Sequence, residues 1–391
     1  HRDLHSFPTR RSSDLFALAV LALASVSCPS PRGTQTRGLA IPTIGLILDI
    51  GGRDDFASNQ LAYEGAERLA RDFRGRVVGD GDANYGSDLE VRVVEYRHDG
   101  PSREAIMRSL AEEGRKLIIA VGFLFSDSIA AVARDYPAAD FLLVDGHVPD
   151  LNPSSNIACA QFAEQEPAFI LGIYAGLLVK SSDSPARIAF LGAMDMPITR
   201  KYYYGFAAGA AAANPSLRAP GSILVSFVGA DAEAFDNPVR AADISSALYK
   251  YDRVAVVFAA AGTSNEGIAR SADLEGRPLL AADIDLAERY GESGSGDIRA
   301  LASVVAGSAV KRVDNAVYEA GKGILSSSRV VGGYRSYNLA NGGMEYVFSG
   351  GLHGMEEELR EYSDSLLRGT LSVPDSASLF DEFLARLGGR E

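Results

Sequence analysis

Residues 44–60 read IGLILDIGGRDDFASNQ. The apolar run at 44–50 has the length and composition of a buried strand, and the segment at 58–71 spaces its apolar residues as an amphipathic helix does. Between them stand Gly51 and Gly52, which let the backbone turn tightly. The stretch therefore predicts a strand, a tight turn and a helix, which together form the first βα unit of an α/β fold.

The same alternation of short apolar runs and amphipathic segments continues along the chain in two series. In the first series, further strands are predicted at 91–96, 117–121 and 141–145, with helices at 103–113 and 126–134. In the second series, strands are predicted at 187–192, 222–228, 254–259 and 278–283. Such repeats favour a doubly wound parallel sheet with helices on both faces. Two series predict two lobes around a cleft, with ligands bound beyond the carboxyl ends of the strands.

These patterns divide the chain into three parts. Residues 1–39 are expected to be a non-native leader, a signal peptide and a tether. Lobe 1 is predicted to comprise 40–161 plus about 301–330, and lobe 2 to comprise 162–300 plus about 331–391. The segment after residue 300, which includes a helix predicted around 309–324, is expected to cross back between the lobes.

The leader carries a secretion signal. Residues 1–15 have no apolar period and are set aside, whereas residues 16–27 (FALAVLALASVS) are an apolar run too short for a membrane span, which needs about 20 residues. Small residues and then Cys28 follow, as in a bacterial lipoprotein signal, so we expect Cys28 to be lipidated and the chain to be a membrane-anchored extracytoplasmic protein. The alternative is an ordinary secretion signal with an incidental Cys28. The other cysteine, Cys159, lies in an apolar run and is predicted to be a buried core thiol.

Composition and motifs argue against several functions. The chain has 51 acidic and 38 basic residues, and a net charge of −13 without a basic cluster disfavours nucleic acid as a partner. The turn GGRDDF lacks the G-x-G-x-x-G fingerprint of dinucleotide enzymes, and GESGSG at 291–296 is not a hydrolase nucleophile elbow. The five histidines form no H-E-x-x-H motif, and two cysteines are too few for a Cys-rich zinc site. We therefore expect no catalytic residues, no metal and no cofactor.

Polar side chains cluster around the first turn. Asp49 and Asn59 are placed to hold hydroxyls or ring nitrogens of a polar ligand, because a carboxylate accepts hydrogen bonds and an amide both donates and accepts them. The structural alternative is that Asp54 or Ser58 caps the following helix.

Three later strands also end on candidate residues. Asp127 follows the strand at 117–121, where the structural alternative is a favourable charge at a helix start. Gly262 lies in a small-residue turn that permits close approach of a ligand to the backbone, and Asp283 ends the strand at 278–283.

Seven blocks of sequence, in this order, resemble the basic membrane protein (BMP) family: GGRDDFASNQLAYEG, VGFLFSDSIA, FLLVDG, QFAEQEPAFILGIYAG, IAFLGAMDMPITRKYYYGFAAG, FAAAGTSNEG and VKRVDNAVYEA. This family consists of lipoprotein substrate-binding proteins of ABC transporters and includes purine nucleoside receptors of spirochaetes. The resemblance runs from about residue 44 to 346. It implies a two-lobed type I periplasmic-binding-protein fold that holds a nucleoside between its lobes.

The resemblance also implies a set of ligand-binding residues. Position by position, the polar groups that bind the ligand correspond to Asp49, Asn59, Asp127, Asp283 and Lys311, and one of the rings that clamp the base corresponds to Phe206. For Lys311 the structural alternative is a cation on the surface of the helix predicted around 309–324.

One position departs from the family. Where the family motif reads S-F-N, this chain has Ala57, Ser58 and Asn59, so Ser58 stands where an aromatic ring would stack on the base. A ring from Phe56, Phe125 or Phe235 is a possible replacement; alternatively, the site suits another aromatic solute such as riboflavin.

The sequence therefore predicts a monomeric lipoprotein that is not an enzyme and that delivers a nucleoside, a purine nucleoside first, to an ABC permease. Two alternatives remain from other classes of function. One is a ligand-sensing domain of the same fold, and the other is a hydrolase that acts on nucleosides.

Overall fold

The computed structural model describes residues 41–79, 82–180, 187–326, 329–352 and 354–388. The predicted signal segment at 16–27 and Cys28 lie outside the described residues. Residues 41–391 form one compact unit. Among the described helices, none combines the length and the apolar character needed to cross a membrane.

The first half of this unit alternates strands and helices. Its strands are β1 (Thr43–Leu48), β2 (Arg76–Val78), β3 (Ala83–Asn84), β4 (Glu90–Glu95), β5 (Leu117–Val121), β6 (Asp140–Val144) and β7 (Ile157–Phe162). Its helices are α1 (Ser58–Asp72), α2 (Arg103–Glu112) and α3 (Ser126–Asp135). The apolar runs of the sequence became strands because their side chains are buried on both faces of the sheet, as β1, β5 and β6 show.

The second half repeats the alternation. Its strands are β8 (Arg187–Met194), β9 (Ile223–Gly229), β10 (Val254–Ala260), β11 (Leu279–Asp283), β12 (Val305–Lys311), β13 (Gly333–Tyr337) and β14 (Met344–Phe348). Its helices are α4 (Gln165–Lys180), α5 (Pro197–Ala213), α6 (Pro238–Lys250), α7 (Asn265–Leu274), α8 (Leu286–Gly291), α9 (Gly296–Ala300), α10 (Val313–Leu325), α11 (Glu356–Leu367) and α12 (Ala377–Gly388).

The strands form two sheets. The first has the order β13-β7-β6-β5-β1-β4-β2-β3, and the second has the order β14-β12-β11-β10-β8-β9. Neighbouring strands are parallel except in two pairs at the edges, β2 with β3 and β12 with β14. The predicted α/β fold with two mostly parallel sheets is confirmed.

The chain passes between the sheets three times. The first crossing is 163–164, between β7 and α4; the second is Arg312, between β12 and α10; the third is 338–343, between β13 and β14. Hydrogen bonds tie the crossings together, since Ala163 N–H donates to the Tyr337 carbonyl and Arg312 N–H donates to the Gly343 carbonyl. Three adjacent crossings therefore connect the two sheets.

The crossings correct the boundaries predicted for the C-terminal part. Residues 301–330 were expected to belong wholly to lobe 1, but β12 lies inside the second sheet and only α10 returns to pack on α1. Conversely, β13 joins the first sheet although 331–391 were assigned to lobe 2. Gly307 and Ser308 are weak strand formers, so β12 was partly hidden inside a predicted helix.

Helices α4 and α5 pack at very close range in the second lobe. A Cβ at Gly172 would lie 2.1 Å from the Phe206 carbonyl oxygen, and a Cβ at Gly209 would lie 2.0 Å from the Phe169 carbonyl oxygen. Gly176 and Gly205 make similar approaches, so each helix presents a G-x-x-x-G pair to the other. The glycines of the ILGIYAG and YYYGFAAG blocks therefore bring two backbones together.

Candidate functional site

The carboxyl ends of strands from both sheets border one recess. Its inner cavity, of about 130 Å³, is lined from the first sheet's side by residues of the segments after β1, β5 and β6, and from the second sheet's side by residues of α5, β10, β11 and β12. An outer cavity of about 580 Å³ shares five lining residues with it, namely Phe123, Leu124, Asp145, Met196 and Ile198. The two cavities are therefore neighbours, and together they are called the recess.

A buried lysine lies in the inner cavity wall. Lys311 ends β12 with 1% of its surface exposed, and its Nζ lies 3.0 Å from Asp145 Oδ2 and 3.0 Å from Glu164 Oε1. Asp283 Oδ1 is 3.8 Å away. The alternative of a cation on a helix surface is thus wrong for Lys311, because the residue ends a buried strand. Its partners come from both sheets and from the first crossing between them.

Burial and charge compete at this cluster. Burial alone would lower the pKa of Lys311, but the carboxylates of Asp145, Glu164 and Asp283 outweigh burial and raise it. Burial also raises the pKa of Asp283, against the opposing effects of Lys311 and of the Tyr202 hydroxyl. The lysine therefore stays charged, and Asp283 holds a proton more tightly than a solvated aspartate does.

The two aspartates around Lys311 have unusual backbones. Asp145 directly follows β6 and has φ +59°, and Asp283 ends β11 with φ +73°. Few residues other than glycine adopt this left-handed conformation, and aspartate is among those that tolerate it best. Both lobes thus turn a carboxylate out of the sheet at a strand end, and both carboxylates face the same ammonium. Backbone strain of this kind is typical of ligand sites.

Asp49 and Asn59 both line the inner cavity, as predicted, but each has partners in the protein. The Arg103 Nε donates to Asp49 Oδ1 at 2.9 Å. The Asn59 amide oxygen accepts from the Asp49 N–H, and the amide nitrogen donates to the carbonyls of Asp49 and Ile50. Asn59 therefore fixes the backbone at the end of β1, and Arg103 neutralises the Asp49 carboxylate.

The caps predicted for α1 differ from those observed. Asp55 accepts hydrogen bonds from the N–H groups of Ala57, Asn59 and Gln60, so Asp55 satisfies the first turn. The Ser58 hydroxyl donates to Asp145 Oδ2 at 3.1 Å and lines the inner cavity. Ser58 thus orients one of the lysine's carboxylate partners.

Two predicted residues lie away from the inner cavity. Asp127 is exposed and lines the outer cavity. Gly262, with φ +59°, lines a small side cavity together with Asp55 and Phe235. The structure therefore brings Asp49, Ser58, Asn59, Asp283 and Lys311 together around the inner cavity, whereas Asp127 and Gly262 line the neighbouring cavities.

Phe206, predicted to clamp the base, lies outside the cavities that the structure describes. Its ring is fully buried, 5.2 Å from the ring of Phe258, and lines none of the described cavities. Tyr202, one helical turn earlier on α5, lines the inner cavity and donates its hydroxyl to Asp283 Oδ1 at 2.9 Å. The side of α5 that faces the ligand space is thus one turn nearer its N-terminus.

Aromatic rings reach the inner cavity from both sides. Phe123 follows β5 in the first lobe, and Phe235 follows β9 in the second. Of the rings proposed to replace the missing aromatic residue at position 58, Phe235 lines the cavity, whereas Phe125 is fully buried. Phe56 packs instead on Tyr290.

A family model described as "ABC transporter substrate-binding protein PnrA-like" matches residues 41–364, which is most of the chain. The chain belongs to the Bmp family. Bmp proteins are substrate-binding proteins of ABC transporters, so this chain is a substrate-binding protein and not an enzyme. The hydrolase alternative is thereby excluded.

Relatives and solved structures agree with that assignment. Basic membrane protein D of Borreliella burgdorferi is 24% identical over 373 residues, covering 94% of this chain and 97% of the relative. The ABC transporter nucleoside-binding protein BmpA of Lactococcus lactis is 23% identical, covering 92% and 98%. The structure of an ABC transporter solute-binding protein from Aeropyrum pernix matches with a TM-score of 0.66 at 21% identity, covering 89% of this chain and 98% of that one. This last likeness concerns the fold.

Three residues that border the recess were not predicted as site residues from the sequence: Asp145, Glu164 and Tyr202. Asp145 ends a predicted strand in the FLLVDG block, as Asp283 ends another, so the reasoning that selected Asp283 also applies to it. Glu164 and Tyr202 lie in the QFAEQEP and YYYGFAAG blocks. Whether Tyr202 reaches the site depends on which turn of α5 faces the cleft, and whether Glu164 does so depends on where the chain crosses between the sheets. Neither can be inferred from the neighbouring residues in the sequence.

Proposed function

We propose that this Bmp-family protein captures a nucleoside, a purine nucleoside first, in the recess between its sheets and delivers it to an ABC permease. The observation that carries the proposal is the inner cavity, where carboxylates of both lobes converge beside rings of both lobes. Carboxylates accept hydrogen bonds from ribose hydroxyls, and rings stack on a base. The nucleoside-binding relative from Lactococcus lactis supports the same class of ligand.

The charges of the inner cavity favour an uncharged ligand. Its wall contains the carboxyl groups of Asp49, Asp55, Asp145 and Asp283 and the ammonium of Lys311, and Asp49 is already paired with Arg103. Three carboxylate partners already surround that ammonium. A phosphate would therefore find no cation free to pair with it among these side chains, whereas hydroxyls would find acceptors. Nucleosides are expected to bind, and nucleotides are not.

Phe123 and Phe235 suit the base. They line the same cavity from opposite lobes, so a flat ligand lying between them would contact both lobes at once. A stacked ring contributes about 0.5–1.5 kcal/mol beyond the burial of its area. A ligand that contacts both lobes binds the closed arrangement best and shifts the equilibrium towards it.

A larger aromatic solute such as riboflavin is the second candidate. Ser58 leaves open the space that an aromatic side chain would fill, and the outer cavity of about 580 Å³ continues from the inner one. A ring system wider than a purine would extend into this outer space.

Anchoring is the remaining part of the proposal. The apolar run at 16–27 followed by Cys28 supports lipidation and an extracytoplasmic location beside the permease. In a bacterial host, Cys28→Ser should move the protein from the membrane fraction to the soluble fraction. Retention of the variant in the membrane fraction would contradict lipidation at Cys28.

The ligand is tested by thermal shift with adenosine, inosine, guanosine, cytidine, riboflavin and the matching nucleoside monophosphates. A ligand at 100 times its Kd adds about 2.7 kcal/mol to the free energy of unfolding, so binding raises the Tm. Purine nucleosides should raise the Tm, and their monophosphates should not. Phe235→Ala should roughly halve the shift, whereas Phe380→Ala, which removes a ring outside the described cavities, should retain it in full. A shift with riboflavin and none with nucleosides would overturn the nucleoside proposal.

A further inference from the structure

Two contacts join the lobes outside the ligand recess. Arg289 Nη2 on α8 lies 2.7 Å from Glu64 Oε1 on α1. One residue further along α8, the ring of Tyr290 meets the ring of Phe56 edge-on, with centroids 6.3 Å apart. Helix α1 packs on the first sheet and α8 packs on β12 of the second. None of these four residues lines a described cavity.

The aromatic contact is built into the turn that follows β1. Phe56 has φ +52°, a conformation that is costly for a residue with a bulky side chain. Its neighbours Asp55 and Ala57 line the inner cavity, while the Phe56 ring points to Tyr290, which is 2% exposed. The segment 55–57 therefore lines the inner cavity through Asp55 and Ala57 and contacts the opposite lobe through Phe56.

The ion pair alone would contribute little. The side chains of Arg289 and Glu64 are 27% and 40% exposed, and exposed ion pairs contribute little to stability. The adjacent contact between the partly buried ring of Phe56 and the buried ring of Tyr290 strengthens the connection, because both contacts form or break together when α8 moves relative to the first lobe.

We propose that Phe56, Glu64, Arg289 and Tyr290 form a latch that stabilises the closed arrangement of the lobes without touching the ligand. The affinity that a ligand shows is its affinity for the closed form multiplied by the fraction of protein that is closed. The latch raises this fraction, so it tunes affinity for any ligand of the recess. It depends on the two-lobed fold and not on the identity of that ligand.

Charge reversal tests the latch in the ligand-free protein. Glu64→Arg and Arg289→Glu each place like charges opposite one another, and the double variant restores an opposite pair with reversed sign. Small-angle X-ray scattering should show a larger radius of gyration for each single variant and a return to the wild-type value for the double variant. Glu67→Arg is the matched control, since Glu67 pairs with Arg71 and Tyr85 inside the first lobe. This variant should scatter as the wild type does.

Binding gives a second readout once a ligand is known from thermal shift. Each single reversal, and Phe56→Ala, should weaken affinity by about tenfold, and the double reversal should restore it. Single variants that scatter as the wild type does, or a double variant that stays expanded, would overturn the latch. The scattering result requires no ligand, so a failure of the nucleoside proposal would leave this test intact.

Discussion

The ammonium of Lys311 lies 3.0 Å from Oδ2 of Asp145, which belongs to the opposite lobe. Lys311 ends β12 of the second sheet, and Asp145 follows β6 of the first. Glu164, in the first crossing, accepts a further contact from the same ammonium. One cation thus connects two lobes and the first crossing between them, in the wall of the ligand recess.

Replacing the lysine should be severely destabilising. Lys311→Met would leave Asp145 and Asp283 without their cation and Glu164 with Lys201 alone, and breaking a buried ion pair in this way costs about 3–5 kcal/mol. Urea unfolding should show the loss. The deficit should be smaller at pH 5 than at pH 8, because burial already raises the pKa of Asp283 and this carboxyl takes up a proton more readily once the lysine is gone. Lys322→Met, at an exposed lysine on α10, should change the free energy of unfolding by less than about 0.5 kcal/mol. Equal effects of the two variants would contradict the role assigned to the cluster.

Substitutions at Tyr202 and Phe206 should distinguish an effect on ligand affinity from an effect on core packing. Tyr202→Phe keeps the ring but removes the hydroxyl that donates to Asp283, so the pKa of Asp283 should rise further and ligand affinity should fall. Phe206→Leu alters a fully buried ring outside the described cavities, so it should lower the free energy of unfolding by about 1 kcal/mol and leave the Kd unchanged. Calorimetric titration with a ligand found by thermal shift measures both. Weaker binding by Phe206→Leu would show that this ring reaches the ligand.

Asp55 should make stability depend on pH. Burial raises its pKa to about 7 from an ordinary value near 3.8, although three backbone N–H groups oppose the rise. The folded protein therefore keeps a proton that the unfolded chain has lost between about pH 4 and 7. Its contribution is present below pH 4 and is lost as the pH rises through 7, with a slope of at most about 1.4 kcal/mol per pH unit.

The variant Asp55→Asn isolates this effect. Urea unfolding between pH 5 and 8 should show a flatter profile for Asp55→Asn than for the wild type. Asp54→Asn, at the exposed neighbouring residue, should reproduce the wild-type profile. Parallel profiles for the wild type and Asp55→Asn would refute a raised pKa at Asp55.

The ends of the strands could be predicted from the sequence because the neighbouring residues determine them. A buried apolar run followed by Gly51 and Gly52 fixes where β1 ends, and Asp49 and Asp283 then fall at the cleft by the geometry of parallel sheets. By contrast, the neighbouring residues in the sequence do not determine which turn of α5 faces the ligand. The choice between Tyr202 and Phe206 depends on how α5 packs on α4, which the glycines of both helices determine in three dimensions.

The positions of the crossings in the C-terminal part of the chain could not be predicted from the sequence for a related reason. Strand β12 contains few residues that strongly favour strands. It is a strand because β11 and β14 pair with it on both sides. Its last residue, Lys311, consequently lies inside the recess and not on a helix surface. Long-range pairing of this kind overrides local propensity.

The contact between α4 and α5 predicts opposite effects for two glycine substitutions. A Cβ at Gly209 would lie 2.0 Å from the carbonyl oxygen of Phe169, so Gly209→Ala must force the helices apart and should lower the free energy of unfolding by about 2 kcal/mol. Gly323, inside α10, has no atom within 4 Å of the added carbon. Gly323→Ala should therefore stabilise the protein by about 0.5–1 kcal/mol, since alanine is the better helix former. Denaturant unfolding compares the two variants, and a shift of the same sign for both would mean that the close approach of α4 and α5 is not what requires glycine.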